Sequence, residues 1–418
     1  MTFAYYTLGL FLYLLSSLEG HAVTVEAYPL HSMSLSQTMS DEFDDLAMLG
    51  AAIGDKRIVF LDELTHGEGN VFALKSRIVS YLHQKKGFEV LVLESGLFDV
   101  AQLWASDKAI PTQAAGNIFY MYARSTELQP LWQYINKHRH SKTPLILAGF
   151  DNRHSGEISL RDLVPAMRQF LATLPAVVSN EQYLHQLQQL LQGQLSTLPA
   201  HQQKQFLHTS QALEQHLVAA LHRASHDVET LGFWLRVNAS LRQMALVAWQ
   251  QLRFDQHDLA MAANLDWLVN QQYAGRKIIV WGHYIHLNRH GGFIDALYRP
   301  EQGVTARVVA DNMTSALPAK VRAESYILHF SGAQGRYLDF RDLQQVAVHS
   351  DETMLERRLT AQFATPVFVP LSQSFEPTGR LWGHEYKSTL TWAQAQQRFD
   401  GMILLPQITP TQLSEVAH

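Results

Sequence analysis

The sequence predicts an α/β protein: a mostly parallel sheet covered by helices, with an inserted helical subdomain. Three observations predict it. Short apolar runs recur without in–out alternation at residues 58–61, 89–93, 144–150 and 277–281, as strands buried on both faces do. Segments with apolar residues three and four apart separate these runs, the alternation of a sheet covered by crossover helices. Between residues 159 and 253 strand signals vanish, and Leu and Gln dominate at helical spacing.

The elements follow in order. Residues 41–53 have helical spacing (Phe43, Leu46, Ala47, Leu49) with acidic residues in the first turn, where the helix dipole favours them. Residues 58–61 form the first strand. Residues 70–85 form a helix with Phe72, Leu74, Ile78, Val79 and Leu82 on one stripe and Gly87 just after its end. The second strand, 89–93, ends in Glu94. A helix over 128–138 leads to the third strand, 144–150, which ends in Asp151. Several antiparallel helices follow, punctuated by Pro175, by Ser179-Asn180 and by Pro199. A helix over 258–270 precedes the fourth strand, 277–281. Further strands are expected at 325–330 and 401–405, with a partly helical stretch over 341–356.

The domain reading is a signal peptide over 1–22, a Ser-rich linker over 23–40, an α/β catalytic domain in two parts (41–158 and 256–410), and the helical insertion over 159–255. The signal rests on the apolar run from Phe3 to Leu15 and the small-x-small end Gly20-His21-Ala22, although no Lys or Arg precedes Lys56. It predicts a secreted or periplasmic protein, with the cytoplasm as the location if the segment is not a signal. The run is too short for a comfortable transmembrane span, so no stable membrane insertion is expected after cleavage.

The chain has 418 residues, with 33 Lys and Arg against 38 Asp and Glu, a formal charge of −5. A mildly acidic chain without a basic block gives no electrostatic case for nucleic acid. At 47% hydrophobic and 17% charged it is too apolar for disorder. Cysteine is absent, which excludes disulfides, thiol nucleophiles and thiolate zinc sites.

Ligands of parallel α/β sheets sit at the carboxyl ends of the strands. The first strand here ends in Glu63, Thr65, His66 and Glu68, the second in Glu94, the third in Asp151, and the fourth in His283 and His286. A single His after a strand is most often a solvated loop residue. Four strands each delivering a titratable group to one edge favour a site. The Gly-x-Ser-x-Gly elbow and the phosphate-cradling Gly-rich loop are both missing. Histidine and carboxylate remain: a neutral His can deprotonate water, and a carboxylate can fix its tautomer. Lys75 and Arg77 offer positive charge for a developing oxyanion, or are plain surface charges on their helix. Trp104, Phe119, Tyr120 and Tyr122 fit core packing better than a substrate pocket, although pockets are themselves mostly apolar.

These residues carry a resemblance. Glu63-Leu-Thr65-His66-Gly67, then Lys75-x-Arg77, then Gly87-Phe88 leading to Glu94, is similar to the erythromycin esterase family. So are Leu147-Ala-Gly149-Phe150-Asp151, Asp258-Leu-Ala-Met261-Ala-x-Asn264-x-x-Trp267-Leu268, Ile279-Val-Trp281-Gly-His283-x-x-His286 and Phe399-Asp400-Gly-Met-Ile, across residues 42–406. The resemblance implies a hydrolase that opens a macrolide lactone ring, with His66 as the base activating water and Glu63 and Glu94 as its carboxylate partners. His283 and His286 would line the site, Lys75 or Arg77 would supply charge, and Asp151 would support it. No cofactor is required by this reading. The resemblance leaves a divalent metal open, for which His283, His286, Glu63 and Glu94 are the ligands at hand. Three positions depart from the family pattern: Asp62 where Gly is usual, Tyr284 where Asn commonly follows the His, and His257 where Arg is usual. Two further readings stay open on the sequence: a metal-dependent hydrolase of another substrate, and a binding protein whose cleft takes an apolar ligand.

Overall fold

The computed structural model describes residues 12–16, 22–31, 42–174, 180–223, 227–249, 255–290, 293–294, 308–309, 312–372, 379–382 and 389–414. Its centre is an eight-stranded sheet, whose strands we number β1 (Tyr28–Pro29), β2 (Ile58–Leu61), β3 (Val90–Gly96), β4 (Ile146–Asp151), β5 (Ile278–Trp281), β6 (Ser325–Gly332), β7 (Val367–Pro370) and β8 (Gly401–Leu405). The spatial order is β1-β7-β8-β6-β2-β5-β3-β4. From β8 to β4 all neighbours run parallel; β7 is antiparallel to both β8 and β1. Every residue of β2 and β5 is buried, as an interior parallel strand under two helical layers requires.

The helices up to residue 316 are α1 (Ala47–Ile53), α2 (Gly69–Lys86), α3 (Leu97–Ala105), α4 (Ile110–Ala114), α5 (Tyr120–Arg124), α6 (Gln129–His138), α7 (Val164–Leu171), α8 (Glu181–Leu191), α9 (Ala200–Arg223), α10 (Val228–Ala248), α11 (Asp255–Trp267), α12 (Tyr284–Leu287) and α13 (Met313–Ala316), among the described residues; Ala319–Ala323, Leu355–Thr360 and Trp392–Arg398 are helical as well. α2 ends where expected. Gly87 adopts the left-handed conformation (φ 71°), and His83, Lys85 and Lys86 in the last turn complement the dipole. The expected helical insertion comprises α7 to α10. α9 and α10 are tied by Asn238, whose amide donates to the Ser210 carbonyl (3.0 Å) and accepts from Tyr183 Oη (2.8 Å). Among the described residues no helix is long and apolar enough to cross a membrane.

Several expectations need correction. Residues 341–356 are helical only at their last two positions. They turn at Asp339–Leu343, return as strand Gln345–Ala347 paired to Arg336–Leu338, and enter a helix only at Leu355. The stretch read as a linker begins inside the fold: Tyr28–Pro29 forms β1, and Val25, Ala27 and Leu30 are buried. Strand β7 and helix α3 were not anticipated; Val367–Pro370 is too short to show a period, and α3 follows β3 directly, with only Ser95-Gly96 to mark its start. Most of the expected targeting segment lies outside the described residues; within it, Leu12–Ser16 pairs antiparallel with Ala22–Glu26.

Candidate active site

The site is built by register. Leu61 of β2 and Leu93 of β3 both lie opposite Trp281 of β5, so these central strands end level. Glu94 follows Leu93 directly, and Glu63 and His283 stand two positions past Leu61 and Trp281, so all three emerge at the same sheet edge. Gly282 is what lets them close up: a Cβ there would lie 2.8 Å from Glu94 Oε2 and 3.2 Å from its Cβ. Glu94 Oε2 uses that space to accept the backbone N–H of His283 at 2.7 Å.

Glu63 is wholly buried and holds His66. Its Oε1 lies 3.1 Å from His66 Nδ1 and accepts from Tyr122 Oη at 2.5 Å; its Oε2 accepts from Lys75 Nζ. Burial opposes the charge on Glu63, but Lys75 and His66 outweigh it and hold the carboxyl below its ordinary value. Glu63 is thus an acceptor only, which places the His66 proton on Nδ1 and leaves Nε2 basic. Lys75 is buried as well, its ammonium 3.9 Å from the Trp281 ring centroid. Burial, with Glu63 and Glu94 nearby, pushes the Tyr122 phenol well above its ordinary value, so it stays a donor.

Glu94 Oε1 lies between two imidazoles, 4.0 Å from His66 Nε2 and 3.6 Å from His286 Nε2. His286 Nδ1 is 2.8 Å from Asp258 Oδ1. Burial disfavours a charged His286, yet Asp258 and Glu94 together push it up to about 9. His283 differs: its Nδ1 accepts the Ile285 N–H at 3.3 Å, which puts its proton on Nε2. Its ring lies 4.8 Å from that of His66.

The structure thus brings together Glu63, His66, Lys75, Glu94, His283 and His286. It does not bring Arg77, which was expected to offer charge. Arg77 is 1% exposed and forks onto Asp45 (2.5 and 2.7 Å) and the Glu42 carbonyl, tying α2 to the turn before α1. Asp151 stands at the margin, chelated by Arg153 and 3.9 Å from His257 Nε2, whose ring is 6.0 Å from that of His286. Burial would raise Asp151, but Arg153 and His257 hold it below its ordinary value. The sequence reading missed Asp258 as a partner and Phe340 altogether, and it placed Phe119 and Tyr122 in the core. The rings of Phe119 and Phe340 stand edge-on to His66 at 4.8 and 5.1 Å. Asp258 had a signal, a carboxylate opening a helix near the fourth strand; Phe340 sits in an irregular turn and had none.

A family model described as erythromycin esterase matches residues 83–408. The chain belongs to the erythromycin esterase family. The matched stretch contains Glu94, Asp258, His283 and His286 and begins after Glu63, His66 and Lys75, whose placement rests on the geometry above. The chain is 25% identical, over 94% of its length and 91% of the relative's, to a Bacillus subtilis (strain 168) protein named "Putative hydrolase YbfO". Two solved structures superpose with a TM-score of 0.71 each: a Bacillus cereus protein (17% identity, 93% of this chain, 97% of that one) and a succinoglycan biosynthesis protein (16%, 93% and 96%). A mutant of the erythromycin esterase EreC in its open conformation superposes with a TM-score of 0.67 (14% identity, 94% of this chain, 99% of that one). At such identities these structures bear on the fold alone, and all three share it. The chain is accordingly a hydrolase of the erythromycin esterase family.

The departures from the erythromycin esterase pattern have structural partners. Asp62 Oδ2 lies 2.7 Å from His329 Nδ1 and its Oδ1 accepts the Phe330 N–H at 2.9 Å, fastening β2 to β6. Tyr284 packs on the same His329 (ring centroids 5.9 Å), so two departures meet on one imidazole. His257 meets Asp151. Both Glu63 oxygens are engaged by Lys75, Tyr122 and His66, and among the described residues no three His, Cys, Asp or Glu side chains are grouped as a metal site.

Proposed function

We propose that this hydrolase cleaves carboxylic esters, with macrolide lactones as the substrate class, using a water activated by His66. One observation carries the reading: His66 Nδ1 is held 3.1 Å from a carboxylate that Lys75 and Tyr122 lock in place. That contact selects the tautomer whose Nε2 can take a proton from water. His283, with its proton on Nε2, is the donor suited to a developing oxyanion. The aromatic edges of Phe119 and Phe340 beside His66 suit an apolar acyl group. Family membership supports the hydrolase; the ester class, the macrolide and the base are this reading's own steps. The reading needs no metal. The apolar run from Phe3 to Leu15 supports export to the periplasm or medium.

The test is mass-spectrometric. The purified protein, untreated and dialysed against a chelator, is incubated with erythromycin and a panel of simpler lactones and esters, beside His66→Ala. Gain of one water by the macrolide, undiminished by the chelator and reduced about 10²–10⁴-fold in the variant, is expected for loss of a general base. Turnover of simple esters alone removes the macrolide from the reading. Full activity in His66→Ala removes the base, and loss of activity on chelation removes metal independence.

A further inference from the structure

The site contains two carboxylate–imidazole pairs, and the proposed base uses only one of them. Glu63 holds His66; Asp258 holds His286; Glu94 Oε1 lies between the two rings. Resting on the ester-hydrolase reading above, we propose that His286 is a separate general acid, which protonates the leaving oxygen, and that Asp258 is the positioning residue that keeps it able to do so.

The second pair is anchored through the Asp258 carboxylate and the His286 backbone. Asp258 is nearly fully buried, and its Oδ2 accepts the Met313 N–H at 2.9 Å, so the first turn of α13 holds the carboxylate still. Its Oδ1 faces His286 Nδ1 at 2.8 Å. The backbone of His286 is held as well, its carbonyl accepting from Thr314 Oγ1 at 3.0 Å. The imidazole therefore presents Nε2 toward Glu94 and the centre of the site. The charged groups facing it are Asp258 from α11 and Glu94 from β3, which favour its proton, and Arg153, which opposes it; His257 and His283 are the neighbouring imidazoles. The two carboxylates outweigh burial and favour the protonated ring.

The other donors suit the task less well. Lys75 is locked on Glu63 beneath Trp281. The Tyr122 hydroxyl is committed to Glu63. His283 Nδ1 already accepts the Ile285 N–H at 3.3 Å.

The chemistry balances with these two residues. His66 Nε2 takes one proton from water as its oxygen bonds to the carbonyl carbon. When the tetrahedral intermediate collapses, the bond from that carbon to the leaving oxygen breaks and its electron pair takes the proton from His286 Nε2. An acid and an alcohol are produced; His66 now carries the extra proton and His286 lacks one. Return of that proton past Glu94, which separates the two nitrogens, resets the site.

A general acid matters only when the leaving group is basic. The experiment compares the ethyl and p-nitrophenyl esters of one acid that the wild type hydrolyses, in the wild type, His286→Gln, Asp258→Asn and Asp258→Glu. An alkoxide needs a proton to leave and a nitrophenolate does not. We expect the loss in His286→Gln to be about 10²–10⁴-fold larger on the ethyl ester than on the p-nitrophenyl ester, with a thermal melt beside the wild type's to show that the variant folds. The same ester-dependent loss should appear in Asp258→Asn and be restored by Asp258→Glu. Equal losses on both esters overturn the assignment of the acid while leaving His66 as base. A wild type that hydrolyses neither ester overturns the ester-hydrolase reading itself.

Discussion

At the scale of single residues, the contact that most constrains the site is the buried Glu63–Lys75 pair. Neither side chain reaches solvent. Removing one partner strands the other's charge in the interior, whereas replacing both removes the desolvation cost along with the attraction. Glu63→Gln and Lys75→Met should therefore each destabilise the protein by about 3–5 kcal/mol. The double variant should recover most of that loss in denaturant melts yet remain inactive, because His66 has lost its carboxylate. Recovery of activity in the double variant would show that Glu63 serves the fold alone. Arg77 teaches the converse lesson. A buried cation two residues from Lys75 points the other way on the same helix, onto Asp45, and does structural work only.

At the scale of elements, the wall over His66 depends on one close approach. Gly67 accepts the Leu338 N–H at 3.0 Å, and a Cβ on Gly67 would lie 1.8 Å from the Leu338 carbonyl oxygen. The hairpin that begins at Arg336 can sit against the first motif only because that side chain is missing. Phe340 follows in its turn, and its carbonyl accepts from Tyr120 Oη at the start of α5. Gly67→Ala should push the hairpin outward, speed hydrogen exchange at the Leu338 amide, and raise KM for apolar esters more than it lowers kcat. Unchanged exchange at Leu338 would mean that the hairpin yields without releasing its bond. The helical motifs before the site were readable because their apolar stripes are long. This wall was not, because an irregular turn has no period and its partner lies some 270 positions away in sequence: Gly67 meets Leu338.

At the scale of the whole molecule, acid stability depends on imidazoles and carboxyls buried far from solvent. His154 is fully buried, neither ring nitrogen finds a hydrogen-bond partner among the described residues, and burial lowers its pKa to about 4. The unfolded chain binds a proton at His154 near its ordinary value, while the folded chain resists it. The stability tied to its neutral form is present above about pH 6.5 and lost as pH falls toward 4, a loss on the order of 3 kcal/mol. Asp99 runs the other way: burial raises it to about 6, so its protonation over the same window favours the folded state. A comparison of wild type with His154→Leu across pH 7 to 4 isolates the first contribution. The variant should lose less stability on acidification, and parallel curves would show that His154 finds a proton partner on folding.

Much of this protein was legible in the amino-acid order. The apolar runs, their carboxylate and histidine ends, and the intervening helical stripes are local patterns, set by burial on both faces of a strand and one face of a helix. They determined the α/β class, the helical insertion and the residues Glu63, His66, Glu94, His283 and His286. Tertiary structure decided which of these meet. The last of the four predicted strands inserts between the first and second, and its register levels Trp281 with Leu61 and Leu93. Strand order and register follow from packing among segments hundreds of residues apart, which no local period encodes. The same is true of partner choice: Lys75 to Glu63, Arg77 to Asp45, Asp62 to His329 and Asp258 to His286. A buried charge must find an opposite charge or a donor, and only the folded chain determines which one lies within reach.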